Sequence, residues 1–273
     1  MKKIYLSQPY AQKGFCIIYD CNISSKMNDF FRLYSCECVS KQEKSSKEYI
    51  NVEIISSTQS YVISFQGTEV VTTTPIQTLQ NIIYENTVFE ANVMPLHAGA
   101  IEKNGAAFIF VAPTGSGKTT LVAYLSNEGY SYIDDDKTII DMSTLRVLPN
   151  HSPIHLRTES LSILNSYGCN VKGKELCVEK IRRIVYTPKA IALSEVPIGG
   201  LFFITRSECT NNCESIATSE AVQMIMSSLL QYSSNSLETL KCAIKLAKNC
   251  KKLTFSDPRY VVKQINKEST LHE

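Results

Sequence analysis

The sequence predicts an α/β protein in two parts. Three observations carry that prediction: the unbroken apolar run Ala107–Val111, the Gly-rich loop after it, and the amphipathic stretch Thr119–Ser126 beyond the loop. A strand buried on both faces reads as such a run. Leu121, Val122 and Leu125 share one side of a helix. Gly129 stands where a helix C-cap glycine would, and Tyr130–Ile133 reads as a second strand running into Asp134, Asp135 and Asp136. Strand, loop, helix, strand is the pattern of an α/β domain. Farther on, Gly200–Thr205 reads as a strand, and Ala217–Tyr232 and Ser236–Lys248 as helices.

The first part, residues 1–92, has a different pattern. Phe15–Tyr19, Tyr49–Ile55 and Tyr61–Phe65 are short β-branched and aromatic runs, separated by polar stretches such as the exposed loop Ser40–Ser46. Between Pro75 and Phe89, Leu79, Ile82, Ile83 and Asn86 recur at near-helical spacing. No residue pattern here carries chemistry. The prediction is a small N-terminal α/β domain, a scaffold or substrate-docking module, ahead of a larger domain over residues 93–273.

Bulk properties exclude several classes. With 273 residues, 44% hydrophobic and 20% charged, the chain has enough material for a real core. A net charge of +2 gives no electrostatic footprint for nucleic acid or an anionic membrane. The longest apolar stretch, Ala106–Ala112, is far short of the roughly 18 residues of a membrane span. Ser7, Gln8, Gln12 and Lys13 interrupt any signal-peptide core after Met1-Lys2-Lys3. The chain reads as soluble and cytoplasmic. Its ten cysteines, including the pairs Cys36/Cys38 and Cys209/Cys213, lack the two close pairs of a structural zinc site. They are expected to be reduced and mostly buried.

The chemistry concentrates in Ala112-Pro113-Thr114-Gly115-Ser116-Gly117-Lys118-Thr119, read against the phosphate-loop template G-x-x-x-x-G-K-[ST]. Ala112 stands where the first glycine normally sits. Gly115 and Gly117 still let successive N–H groups turn inward, and the following helix adds its positive end, so the segment predicts an anion site. The expected nucleotide contacts are Pro113, Thr114, Gly115, Ser116, Gly117, Lys118, Thr119 and Thr120. Lys118 is expected to reach the β- and γ-phosphates and the Thr119 hydroxyl to bind Mg²⁺, with Thr120 opening the helix. About 17 residues beyond Lys118 come the three acids. If their strand lies beside the phosphate-loop strand in a parallel sheet, their carboxyl ends face one crevice. One carboxylate then holds Mg²⁺ and another takes the proton of an attacking hydroxyl. A solvated acidic turn is the bland alternative. His97, in Leu96-His97-Ala98-Gly99-Ala100, is by spacing alone a structural histidine.

Together these segments resemble the HPr kinase/phosphorylase and phosphoenolpyruvate carboxykinase-like superfamily of P-loop kinases. The resemblance rests on Leu96–Ile101, Pro113–Thr119 and Gly129–Asp136. Weaker likenesses follow in Pro153–Arg157, Lys180–Arg183 with Tyr186-Thr187-Pro188, and Val196–Arg206, so that it spans roughly residues 95–265. It implies ATP and Mg²⁺, with Asp135 and Thr119 on the metal, Asp136 as catalytic base and His97 supporting the acid pair. Arg157, Lys180, Arg182 or Arg183 would add charge at the transferred group.

The N-terminal part is shorter than that of HPr kinases, and Gly199-Gly200-Leu201 is a remnant of their Arg-Gly-Leu-Gly-Ile signature. The chain is also too short for a carboxykinase. The resemblance therefore points to compact relatives that phosphorylate a serine of a precursor peptide, lasso-peptide kinases among them. A peptide or small-protein acceptor is expected, with no nucleic acid or membrane partner; a homo-oligomer is left open. Two other readings stay open: a kinase for a free metabolite, and a nucleotide-gated regulatory module.

Overall fold

The computed structural model of the protein describes residues 1–34, 38–179, 181–230 and 236–269. Cys36, Lys180 and Tyr232 lie outside the described residues. The chain forms two compact units, Met1–Glu90 with Glu175–Arg183, and Ala91–Lys174 with Ile184–Glu273.

The first unit contains β1 (Lys2–Leu6), β2 (Lys13–Tyr19), α1 (Ser24–Phe31), β3 (Val39–Ser40), β4 (Glu48–Ser56), β5 (Tyr61–Phe65), β6 (Thr68–Thr72) and α2 (Pro75–Asn86). Its six-stranded sheet has the order β3-β1-β2-β4-β5-β6. Central β2 buries Phe15, Cys16 and Ile17 in succession, as a strand covered on both faces does. Among the described residues of this unit only β2 and β4 pair in parallel, and the connection between them carries α1, which buries Met27 and Phe30. The turn Gln66-Gly67 takes positive φ at both residues (47° and 78°), the geometry that matches the twist of a two-residue hairpin. Helix α2 starts with Pro75 at its first turn and buries Ile76, Leu79, Ile82 and Ile83. Thr74 gives it no side-chain cap. Instead the Glu179 carboxylate accepts from Ile76 N at 2.8 Å and Gln77 N at 3.3 Å, placing an anion on the positive helix end.

The second unit holds β7 (Val93–Leu96), β8 (Ala98–Lys103), β9 (Ala106–Val111), α3 (Lys118–Asn127), β10 (Ser131–Asp134), β11 (Thr138–Asp141), β12 (Arg146–Leu148), β13 (Ile154–Leu156) and α4 (Thr158–Ser166). Next come β14 (Lys174–Val178) and β15 (Ile181–Tyr186), whose residues up to Arg183 count mostly with the first unit. Then follow β16 (Val196–Arg206), β17 (Asn212–Ser215), α5 (Thr218–Ser227), α6 (Ser236–Ala247), β18 (Cys250–Phe255) and α7 (Pro258–Ser269). The main sheet runs β10-β8-β9-β16-β12-β11-β7, and β18 lies parallel to β16. Alternation along β9 separates two cores. Phe108 and Phe110 pack with α3, α7 and Phe202 on one face. Ala107, Ile109 and Val111 pack with α5 and α6 on the other.

The topology corrects the expectation for the acid-bearing strand. β10 is not the neighbour of β9. It pairs antiparallel with β8, which pairs antiparallel with β9, and two reversals restore the direction of β9. The acids therefore still emerge at the phosphate-loop end. The β8–β9 hairpin turns on Asn104-Gly105, both with positive φ (52° and 75°). An Asn-Gly pair between strand-like runs is a strong hairpin signal, and sequence reasoning passed over it. Helix α3 ends as expected: Gly129 has φ 90°, and Tyr130 N reaches back to Leu125 O at 3.2 Å.

Candidate active site

The loop that leaves β9 is shaped by two glycines. Gly115 (φ 87°) and Gly117 (φ 91°) sit in the left-handed region that other residues avoid. Ser116 N closes the turn onto Pro113 O at 3.3 Å. Gly117 caps α3 without a side chain, so no capping oxygen occupies the first-turn amides. Those amides and the helix dipole are the elements of an anion site. The Ser116 Oγ is buried with no hydrogen-bond partner. Ala112 is buried at the end of β9 among the apolar residues of the α3 face, a place that a small side chain fills.

Lys118, the first residue of α3, is only 4% exposed. Its Nζ lies 3.0 Å from Asp136 Oδ1 and 3.0 Å from His97 Nε2. His97 sits between β7 and β8, held by its N–H to Ser228 O at 2.7 Å. Burial first, and the Lys118 charge second, lower its pKa below the ordinary histidine value. A neutral ring with Nε2 as acceptor fits both the lysine donor and the ring's other hydrogen bond, to the Asp136 backbone. Asp136 is the site's half-open member, with a side chain 57% exposed and a backbone φ of 72°. That conformation is uncommon outside glycine and tolerated best by Asn and Asp.

The three consecutive acids have three different environments. Asp134 is fully buried and tied into the fold. Its Oδ1 accepts from Asp135 N at 2.8 Å, and Oδ2 accepts from Asn150 Nδ2. Burial pushes its pKa up to about 7, against the pull of the Asn150 hydrogen bond. Asp135 is buried beside Thr119, whose hydroxyl hydrogen-bonds to it, while its Oδ1 has no partner. Burial and the neighbouring Asp136 raise its pKa well above the carboxylate range; Lys118 and Thr119 oppose the rise. Asp136 alone faces outward. Gly99 makes this geometry fit: a Cβ there would stand 2.6 Å from Val122 Cγ2 and 3.3 Å from Asp135 Oδ1.

A buried carboxylate oxygen without a partner, next to a hydroxyl at a phosphate loop, suits a hard cation. Among the described residues no cluster of three or more His, Cys, Asp or Glu could hold a metal. Mg²⁺ does not require one, since it is commonly held by one or two carboxylates with water and substrate phosphates completing the shell. Asp135 and Thr119 fit that donor set.

Across β9 from the acids lies a cleft open to solvent. Gly117, Thr120 and Tyr124 of α3 form one wall, Tyr167 after α4 another, and Phe255 and Pro258 a third. Tyr124 and Tyr167 meet edge to face with centroids 5.8 Å apart. Arg206 stands at the carboxyl end of β16, where a Cβ on Gly117 would be 3.8 Å from its Cδ. It makes no ion pair among the described residues. Sequence reasoning noted Arg206 only as the end of a strand and missed its place beside the phosphate loop.

The structure thus gathers Lys118, His97, Thr119, Asp135 and Asp136 at one point. Pro113, Thr114 and Gly115 form the exposed rim. Thr120 donates to Ser160 Oγ at 3.0 Å, tying α3 to α4. Arg157 is the exposed N-cap residue of that same α4. Arg182 and Arg183 belong to the other unit, where Arg183 Nη1 donates to Arg182 O at 2.8 Å.

No family profile matches the sequence, and no curated protein matches it. Among solved structures, the HPr(Ser) kinase/phosphatase from Coxiella burnetii is similar over 65% of this chain and 97% of its own, at 10% identity and a TM-score of 0.34. A likeness that weak leaves the functional reading to rest on the residues themselves.

Proposed function

We propose that this chain is a cytoplasmic, Mg-ATP-dependent kinase that phosphorylates a hydroxyl, namely a serine of a peptide or small protein such as the precursor of a ribosomally made product. The observation that carries the reading is Lys118 Nζ at 3.0 Å from both Asp136 and His97, at the mouth of a phosphate loop. The described cysteines are all free, as suits a reducing compartment.

In this reading the loop amides and Lys118 hold the β- and γ-phosphates, and Arg157 adds positive charge from the start of α4. Mg²⁺, when bound by Asp135 and Thr119, neutralises phosphate charge. His97 keeps Lys118 oriented by accepting a hydrogen bond from its ammonium group. Asp136 takes the proton of the acceptor hydroxyl while that oxygen bonds to the γ-phosphorus. The bond from phosphorus to the β–γ bridging oxygen breaks, and ADP leaves. Such a site works by positioning and electrostatics more than by covalent chemistry.

The test is intact-mass analysis of peptides encoded beside the gene after incubation with Mg-ATP and this protein. A gain of about 80 Da on a peptide serine, absent with Lys118→Ala, supports the reading. No gain, with nucleotide nevertheless bound, removes the peptide acceptor and turns the search to free metabolites.

A further inference from the structure

β10 is the outermost named strand on the acid side of the sheet, and a segment outside the named strands runs along its edge. Tyr132 N donates to Ala190 O at 2.9 Å, Ala192 N donates to Tyr132 O at 2.9 Å, and Tyr132 pairs in parallel with Ile191. Ala192 points into the core and is buried. The carbonyl of Ala190 and the N–H of Ala192 are therefore spent on β10, and the alternating geometry of an extended chain turns the main-chain groups of Ile191 and Leu193 the other way. Among the described residues those groups have no hydrogen-bond partner. The side chains are open as well, Ile191 at 37% and Leu193 at 85% exposure.

Free strand edges are usually blunted by charge, proline or a bulge. Ala190-Ile191-Ala192-Leu193 carries neither a charge nor a proline. The edge is nevertheless held firmly. His151 Nε2 donates to Ala192 O at 2.6 Å, His151 N donates to Ile133 O at 3.0 Å, and the preceding Asn150 holds Asp134. One short loop thus fixes both the acid strand and the edge beside it. The parallel bridge puts Ile191 level with Tyr132, so the edge runs in the direction of β10, toward the end where Asp134, Asp135 and Asp136 follow.

We infer that the acceptor polypeptide docks here as an added strand, its main chain pairing with the outward N–H and C=O groups of Ile191 and Leu193 and its apolar side chains resting on Leu193. This mode reads backbone and alternate side chains, and it delivers the residue just beyond the added strand toward the acids. The inference rests on the peptide-kinase reading.

The test uses the full chain, Mg-ATP and a pool of short peptides carrying one serine each, with phosphorylation read by mass. Ile191→Pro removes the outward N–H and spares both bonds to β10; Leu193→Asp alters a side chain that is almost wholly in solvent. Each is expected to raise the peptide KM about tenfold, the effect of one or two lost hydrogen bonds or an apolar contact, with KM for ATP and thermal midpoint unchanged. A peptide N-methylated at alternate residues should lose affinity on the unaltered protein, which needs no variant to fold. Peptides phosphorylated with the same KM by both variants would overturn the docking edge and leave the kinase reading standing. Bound ATP with no peptide phosphorylated at all would overturn the edge together with the peptide acceptor.

Discussion

On one side of β9, through β8 to β10, the second unit buries charge: Lys118, Asp134 and Asp135 lie within a few residues of an apolar core. On the other side, through β16 to β18, it lines a cleft with Tyr124, Tyr167, Phe255 and Pro258 and sets Arg206, which makes no ion pair among the described residues, at the rim. Buried charge is costly unless paired or put to use, and here it is paired only in part, since Asp135 Oδ1 has no partner. The cleft has the opposite economy, apolar walls with little polar surface, which suits a flat aromatic group rather than a phosphate. In the proposed kinase reading, one loop between the flanks would serve both ends of a nucleotide, phosphates toward the acids and nucleoside toward the tyrosines.

Substitutions on the two flanks should therefore fail in different ways. Lys118→Ala removes the cation shared by Asp136 and His97 and should lower kcat about 10³-fold, the scale of losing a charged transition-state donor; steady-state transfer assays check it. Asp136→Asn should keep ATP affinity within about twofold and lower kcat by about 10²–10⁴-fold, the usual worth of a general base. On the cleft side, Tyr167→Ala should reverse that pattern, with KM for ATP up about tenfold and kcat nearly unchanged, since an aromatic stack contributes about 1–3 kcal/mol. A Tyr167→Ala protein with normal ATP affinity would put the nucleoside elsewhere.

Two smaller effects sharpen the picture on the acid side. Gly99→Ala drives a methyl against Val122 and toward Asp135, and overpacking of this kind costs about 1–3 kcal/mol. Calorimetry should show a lower midpoint. Asp135→Asn should do the reverse. Burial and the neighbouring Asp136 raise the folded pKa of Asp135, so the fold disfavours its charged form, and a neutral amide removes that penalty. We expect a midpoint higher by about 2–4 °C together with loss of Mg²⁺-dependent activity, a trade of function for stability.

How much of this was legible depends on how local the signal is. The phosphate loop and α3 are written in consecutive residues, and the expected helix Thr119–Ser126 lies inside the observed Lys118–Asn127. The acid strand was also legible, but by an argument that the structure corrects: β8 stands between β10 and β9, and the acids reach the loop because direction is reversed twice. The small residues Ala98-Gly99-Ala100 hide β8 from β-propensity, although Asn104-Gly105 announces its hairpin. The local run of three acids does not by itself tell their environments apart; burial and the hydrogen bond from Asn150 make Asp134 a structural residue. The cleft was not legible at all. Its walls come from α3, from the residues around Tyr167, from the end of β16 and from the start of α7, and no run of sequence holds them together.

The division of labour across β9 is tested most directly by one measurement on Asp136→Asn: single-turnover transfer from Mg-ATP to a phosphorylatable serine peptide, with ATP affinity determined on the same preparation. The account predicts near-normal ATP binding and a transfer step slowed by at least about a hundredfold. Transfer at the unaltered rate would contradict it, because the only outward-facing acid of the three would then take no part in the chemistry.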